Sequence, residues 1–259
     1  MIILHSKVLG NGPSMIVLHG LFGSGDNWIS FAEKFGKDYQ IHLLDIRNHG
    51  KSFFSEKMNY DLISKDILNY IHYHKLDHPI LLGHSMGGKA VMSFSIKYPK
   101  IPGKIIVVDI SPNIYTNTDQ KKLISVLKKV DFNIIKTRKN LDCFLKPYIP
   151  DTEIRLFFSK CTYRKKNGKL DFSFFLFGIE KNYDSLIYNK INNGLYNGPT
   201  LFLRGEYSDY ILPKDYDSIL KLFPKAKILT IEKAKHWIHV ENPIDFYEKI
   251  DLFLKEYIS

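Results

Sequence analysis

The sequence predicts an α/β fold: an open, doubly wound, mostly parallel central sheet with helices on both faces and one inserted helical segment. Three observations lead there. Short continuous apolar runs recur at 15–18, 41–44, 80–82, 105–108, 200–203 and 228–231, as expected of strands buried on both faces. Stretches of helical period alternate with them, the pattern of an α/β domain. Between Asp109 and Pro199 the alternation stops, and amphipathic patterns replace clear strands.

The elements follow in order. Residues 2–9 (IILHSKVL) read as a strand, and the turn residues Gly10-Asn11-Gly12-Pro13 predict a hairpin with the run at 15–18. Residues 60–74 place Ile63, Ile67, Tyr70 and Ile71 on one face of a helix. A second helix over 86–97 follows a strand directly and is closed off by Pro99. Helices are also expected at 119–130, 152–160 and 180–191. The segment 112–197 is therefore read as a helical lid inserted into a core made of 1–111 and 198–259. It would lie over the carboxyl edge of the sheet, where open α/β sheets bind ligands. Asn242-Pro243 supplies a cap and a first-turn proline for the last helix.

A chain of 259 residues can bury a substantial core. With 44% apolar and 25% charged residues it is ordinary for a globular protein. No run approaches the roughly 20 apolar residues of a membrane span. The start lacks a basic region followed by a cleavage site, so the expected location is cytoplasmic, with no membrane partner. Cys143 and Cys161 are expected to be reduced thiols. The net charge of +10 invites a nucleic-acid reading, but only five of the 37 basic residues are arginine and the lysines are scattered. Nucleic-acid recognition leans on arginine forks, so no nucleic-acid partner is expected. His72, His74 and His78, and the pair His236 and His239, lack the pattern of a metal site. No metal is expected.

The chemistry concentrates in a few short stretches. Gly83-His84-Ser85-Met86-Gly87 is a G-x-S-x-G pattern between a strand and a helix, the placement of a nucleophile elbow. The glycines there admit backbone where side chains would collide. A serine hydroxyl needs a base, and His236 sits after the last strand-like run, which puts it at the same sheet edge. The imidazole needs an orienting carboxylate. Asp109, in Asp109-Ile110-Ser111-Pro112, and Asp209, in the loop 204–209, both emerge at that edge, and the residues themselves leave the choice open. The glycine-rich loop His19–Ser24 follows a strand. It can present the Leu21 N–H to a developing oxyanion, with the Met86 N–H as second donor. It lacks the Lys-Ser/Thr and the glycine spacing of a phosphate cradle. Phe22 and His84, beside these groups, are candidate substrate contacts. Phe172, Phe174, Phe175 and Phe177 fit an acyl pocket or the packing of the lid. The stretch 45–52 fits a structural loop better than a substrate contact.

Taken together, LHGLFGSGDNW (18–28), DIRNHGKS (45–52), GHSMGGKAVM (83–92), DISP (109–112) and HWIHVENP (236–243) resemble the YbfF-type esterases, α/β-hydrolases related to the mammalian abhydrolase domain-containing 11 group. The resemblance implies the α/β-hydrolase fold and a serine hydrolase cleaving a small carboxylic ester or thioester, without a cofactor. A few lysines could then steer an anionic substrate such as a coenzyme A ester. It favours Asp109 as the acid, since the group uses the aspartate of a D-I-x-P motif. The sequence departs from the group by retaining Asp209, and by carrying Lys235 where a glycine commonly precedes the histidine. The fold also hosts C–C hydrolases, lyases, haloperoxidases and ligand-binding receptors. The expected assembly is a monomer or weak homodimer.

Overall fold

The computed structural model describes residues 2–115 and 119–256. Its strands are β1 (Ser6–Leu9), β2 (Ser14–Leu18), β3 (Gln40–Leu44), β4 (Ile80–His84), β5 (Lys104–Val108), β6 (Thr162–Arg164), β7 (Leu170–Phe172), β8 (Thr200–Gly205) and β9 (Ala226–Ile231). Its helices are α1 (Ile29–Phe35), α2 (Tyr60–His74), α3 (Met86–Lys97), α4 (Asp119–Leu127), α5 (Arg138–Leu145), α6 (Thr152–Lys160), α7 (Leu176–Ile187), α8 (Tyr216–Leu222), α9 (Ile238–Glu241) and α10 (Pro243–Glu256). Seven strands form one sheet in the order β1-β3-β2-β4-β5-β8-β9. Every pair in it is parallel except β1 with β3. This is the mostly parallel α/β sheet that the apolar runs predict.

Alternate residues of each strand face opposite sides, so the sheet carries two cores. Ile16, Leu18, Leu81, Ile105 and Val107 pack with Ile63, Ile67 and Tyr70 of α2 and Val91 and Phe94 of α3. Met15, Val17, Leu82, Ile106 and Val108 pack on the other side with Phe31 and Phe35 of α1 and Phe246 and Ile250 of α10. The boundaries of α2 have local causes. The Asn59 side chain accepts the Leu62 N–H at the start, and Lys75 at φ 52° ends the helix.

One expectation fails. β1 does not pair with β2; it runs antiparallel to β3, with Ser6 opposite Leu44 and Leu9 opposite Ile41. The turn after β1 folds against the turn before β3. An added Cβ on Gly10, which sits at φ +78°, would lie 2.2 Å from the Gly36 carbonyl oxygen. The Gln40 N–H donates to the Pro13 carbonyl at 3.0 Å. The glycines thus serve a close approach that carries β1 past β2 to the free edge of β3.

Between β5 and β8 lie α4 to α7 and a two-stranded antiparallel ribbon of β6 and β7. The ribbon and α5 were not legible in the sequence, and α7 runs Leu176–Ile187 rather than 180–191. This insertion has its own apolar cluster, including Leu141, Leu145, Phe158, Phe172, Phe174, Ile179 and Tyr183, which Phe22 enters from outside with Leu21 packed against it. A bridge between His49 and Phe174, and a Phe175 N–H donated to the Asn48 carbonyl at 2.8 Å, dock it on the core. No helix among the described residues is long and apolar enough to cross a membrane.

Candidate active site

Ser85 stands between the last residue of β4 and the first of α3, at φ 53° and ψ −117°. A side chain rarely adopts that backbone, so the turn is strained. The surroundings leave little alternative. The Ser85 N–H donates to the Val108 carbonyl at 3.0 Å. An added Cβ on Gly83 would lie 2.2 Å from the Gly87 carbonyl oxygen, and one on Gly87 would lie 2.3 Å from that of Leu18. Both glycines are held by backbone crowding, as the G-x-S-x-G reading expects.

Asp109 occupies the equivalent point one strand further on, just past the end of β5. It too has positive φ, 49°, and its N–H donates to the Leu203 carbonyl at 2.8 Å. Its carboxylate is fully buried and saturated with donors. Oδ1 accepts the Gly205 N–H at 2.9 Å, and Oδ2 accepts the Ser208 hydroxyl at 2.5 Å and His236 Nδ1 at 2.8 Å. A carboxylate only accepts, so His236 donates to it through Nδ1–H, which leaves Nε2 as the ring nitrogen turned away from Asp109. His236 lies in the loop after β9, with its side chain 24% exposed. Asp209, the other candidate acid, points into solvent.

The His236 ring is flanked by two others. Tyr210 stacks on it with centroids 3.8 Å apart, and the ring of His84, the neighbour of Ser85, lies 4.7 Å away. Tyr210 and Ser85 line one cavity, shared with Leu21, Met86, Ile110, Leu186 and Ile187. Leu21 and Met86, whose N–H groups are the expected oxyanion donors, therefore border the same space as the serine.

Residues 13–145 match the sequence profile of the family described as alpha/beta hydrolase fold. The chain belongs to that family. Over 253 residues it is 32% identical to the sn-1-specific diacylglycerol lipase ABHD11 of Danio rerio, covering 95% of this chain and 80% of that protein. It is 28% identical to esterase YbfF of Escherichia coli, covering 95% and 94% of the two chains. Among solved structures, a marine microorganism esterase superposes with a TM-score of 0.94 at 38% identity, covering 98% of this chain and all of that one. The chain is an esterase/lipase-type α/β-hydrolase, as the sequence motifs implied.

Several residues of this hydrolase take places that the sequence did not indicate. His84 does not border the cavity described above. Its Nε2–H donates to the His236 carbonyl at 3.0 Å, which fixes the loop carrying the imidazole. Burial, and then the neighbouring His236 and His239, hold the His84 pKa well below its usual value, so it stays neutral. Phe22 packs edge-on against Phe158 at 5.5 Å, inside the apolar cluster of the insertion. Its N–H donates to His49 Nε2 at 3.1 Å. Phe172 and Phe174 stack at 4.7 Å within the same cluster, while Phe177 is exposed.

The stretch 45–52 acts as a brace. Asp45 accepts the N–H groups of Gly25 and Lys51, both at 2.8 Å, and Arg47 makes two hydrogen bonds to Asp66, at 2.6 and 2.8 Å. His19 Nε2 accepts the Ile46 N–H at 3.0 Å, tying the glycine-rich loop to this brace. Ser208, which bonds Asp109, and Tyr210, which stacks on His236, were not picked out by the sequence, although Ser208 lies in the 204–209 loop that offered Asp209. Lys235, the departure from the family pattern, donates its N–H to Glu241 at 2.5 Å, so the loop closes without a glycine there.

Proposed function

We propose that this hydrolase cleaves carboxylic esters or thioesters through an acyl-enzyme on Ser85. The observation that carries the reading is the buried Asp109 carboxylate bonded to His236 Nδ1 at 2.8 Å, beside a serine on a strained turn at the cavity wall. In this reading His236 Nε2 takes the Ser85 proton as Oγ attacks the acyl carbon. The oxyanion is held by the Leu21 and Met86 N–H groups. The carbon–oxygen or carbon–sulfur bond breaks, and the leaving alcohol or thiol departs with the proton from His236. Water then gives a proton to His236 and attacks the acyl carbon. The acid is released and the serine regains its proton. Asp109 holds the tautomer and stabilises the imidazolium. Apolar groups on Leu21, Met86, Ile110, Leu186 and Ile187 suit an acyl chain better than a charged group.

The test is direct. Ser85→Ala should lower turnover of a p-nitrophenyl ester by about 10⁴–10⁶ while thermal unfolding stays cooperative. A fluorophosphonate should add one equivalent of mass to the wild type, on Ser85. Near-native hydrolysis by the alanine variant would end the proposal. Parallel assays with p-nitrophenyl and acyl-CoA substrates distinguish oxygen from thiol esters.

A further inference from the structure

Lys89 is buried on α3, one turn after Ser85, in a family of contacts that the reaction does not use. Its ammonium donates to three backbone carbonyls: Pro112 at 3.0 Å, Asn113 at 2.6 Å and Asn189 at 2.7 Å. The first two lie where the chain leaves the core for the insertion, and the third where it returns. The two stems also touch directly, because the Ile191 N–H donates to the Pro112 carbonyl at 3.0 Å. An ammonium has three protons, and all three are committed. None remains for a substrate carboxylate, although Lys89 borders the cavity. Burial draws the lysine pKa down to about 7, so the position is an expensive one for a residue that only fills space. The Tyr115 ring lies 5.5 Å from the ammonium and adds an aromatic face.

What these carbonyls hold apart and together is the cavity. Ile110 and Tyr115 line it from the outgoing stem, Leu186 and Ile187 from just before the returning stem, and Ser85 and Met86 from the helix that carries Lys89. We propose that Lys89 is a positioning residue that clasps both stems of the insertion to the nucleophile helix, and that this clasp sets the cavity's width and thus the acyl groups admitted. Removing it leaves the part-buried Asn113 and Asn189 carbonyls short of a donor and Pro112 with only the Ile191 N–H, so the stems loosen as the freed carbonyls turn toward water. The proposal rests on the hydrolase reading above.

The experiment uses Lys89→Met, which keeps the length without donors, and Lys89→Arg, which keeps charge and donors. Acetate, hexanoate and decanoate p-nitrophenyl esters are compared, with a hemisuccinate ester as the anionic arm. In Lys89→Met the decanoate-to-acetate ratio of kcat/KM should rise by about tenfold or more, with the larger change in KM. Lys89→Arg should return most of the discrimination. Amide hydrogen exchange over 110–115 and 186–191 should be about tenfold faster in Lys89→Met than in wild type, with β4 and α2 unaffected. Unchanged selectivity and unchanged exchange would overturn the clasp. So would a loss confined to the hemisuccinate ester, which would make Lys89 a substrate contact, and so would failure of both variants to fold cooperatively, which would make it a core requirement. Fluorophosphonate labelling separates the two proposals. An unlabelled wild type sinks the hydrolase reading, whereas a labelled wild type with an unaltered Lys89→Met sinks only the clasp.

Discussion

Asp109 and Asp209 differ in what surrounds them, and that difference decides what each can do. Asp109 is buried with three donors, one of them His236 Nδ1, whereas Asp209 is exposed at the rim of the next loop. Asp109→Asn leaves an amide that can donate to Nδ1 and so favours the wrong imidazole tautomer. It is expected to lower kcat by about 10³–10⁴, while Asp209→Asn is expected to stay within about threefold of wild type, since exposed substitutions away from such contacts do little. Steady-state assays of both variants on one p-nitrophenyl ester check this, and the reverse ordering would overturn the assignment. The sequence offered both aspartates because both follow strands that end at the same edge. It offered Ser85 through the turn between a strand and a helix, and His236 through its place after the last strand-like run, both readable from the neighbouring residues. It did not mark Ser208, which bonds Asp109, or Tyr210, which stacks on His236. Their roles depend on how one loop turns its side chains, and no spacing encodes that.

At the scale of elements, helical period together with flanking strands and a closing proline was a good guide to several helices. The expected helices at 60–74, 86–97 and 152–160 coincide with α2, α3 and α6. Pairing was less legible, because a turn sequence specifies a reversal but not the partner, and β1 found β3 instead of β2. The insertion's ribbon was hidden since strands of three residues carry no period. The link between the insertion and the glycine-rich loop is Phe22, at φ 66° and buried among Phe158, Phe174 and their neighbours. Phe22→Ala should cost about 3–5 kcal/mol of stability. It should also lower kcat/KM by up to about 100-fold, because a displacement of about 1 Å would misplace the Leu21 N–H, the oxyanion donor in the proposed mechanism. Thermal unfolding and ester kinetics on the same preparation check both. Phe22→Leu, which keeps most of the volume, should recover much of each. A stable but inactive alanine variant would instead give Phe22 a direct part in substrate contact.

The molecule as a whole stores neutral histidines in its interior, and this sets how it responds to acid. His19 and His42 are held down to about 4, and His49 and His239 to about 3, in each case first by burial. They brace different parts of the molecule. His19 and His49 hold loops at the site, His42 bonds Tyr70 of α2, and His239 stacks on Trp28 at 4.3 Å. In the unfolded chain each would titrate near 6.5. Between about 6.5 and 4 the unfolded state therefore binds protons that the folded state refuses, so stability is fully present above about 6.5 and is lost as pH falls. Linkage puts the loss at pH 5 at about 1–2 kcal/mol per histidine. Asp66 acts in the opposite sense, because burial raises its pKa against the lowering by Arg47, but it is one group against several. The melting temperature should fall by about 10–20 °C between pH 7 and pH 5, measured by calorimetry in buffers of matched ionic strength. His49→Gln should be less stable at pH 7 yet show a shallower fall, since it removes one of the groups that must stay uncharged. A melting temperature that is flat across this window would mean that these imidazoles are not held neutral by the fold, and the braces around the site would need a different physical basis.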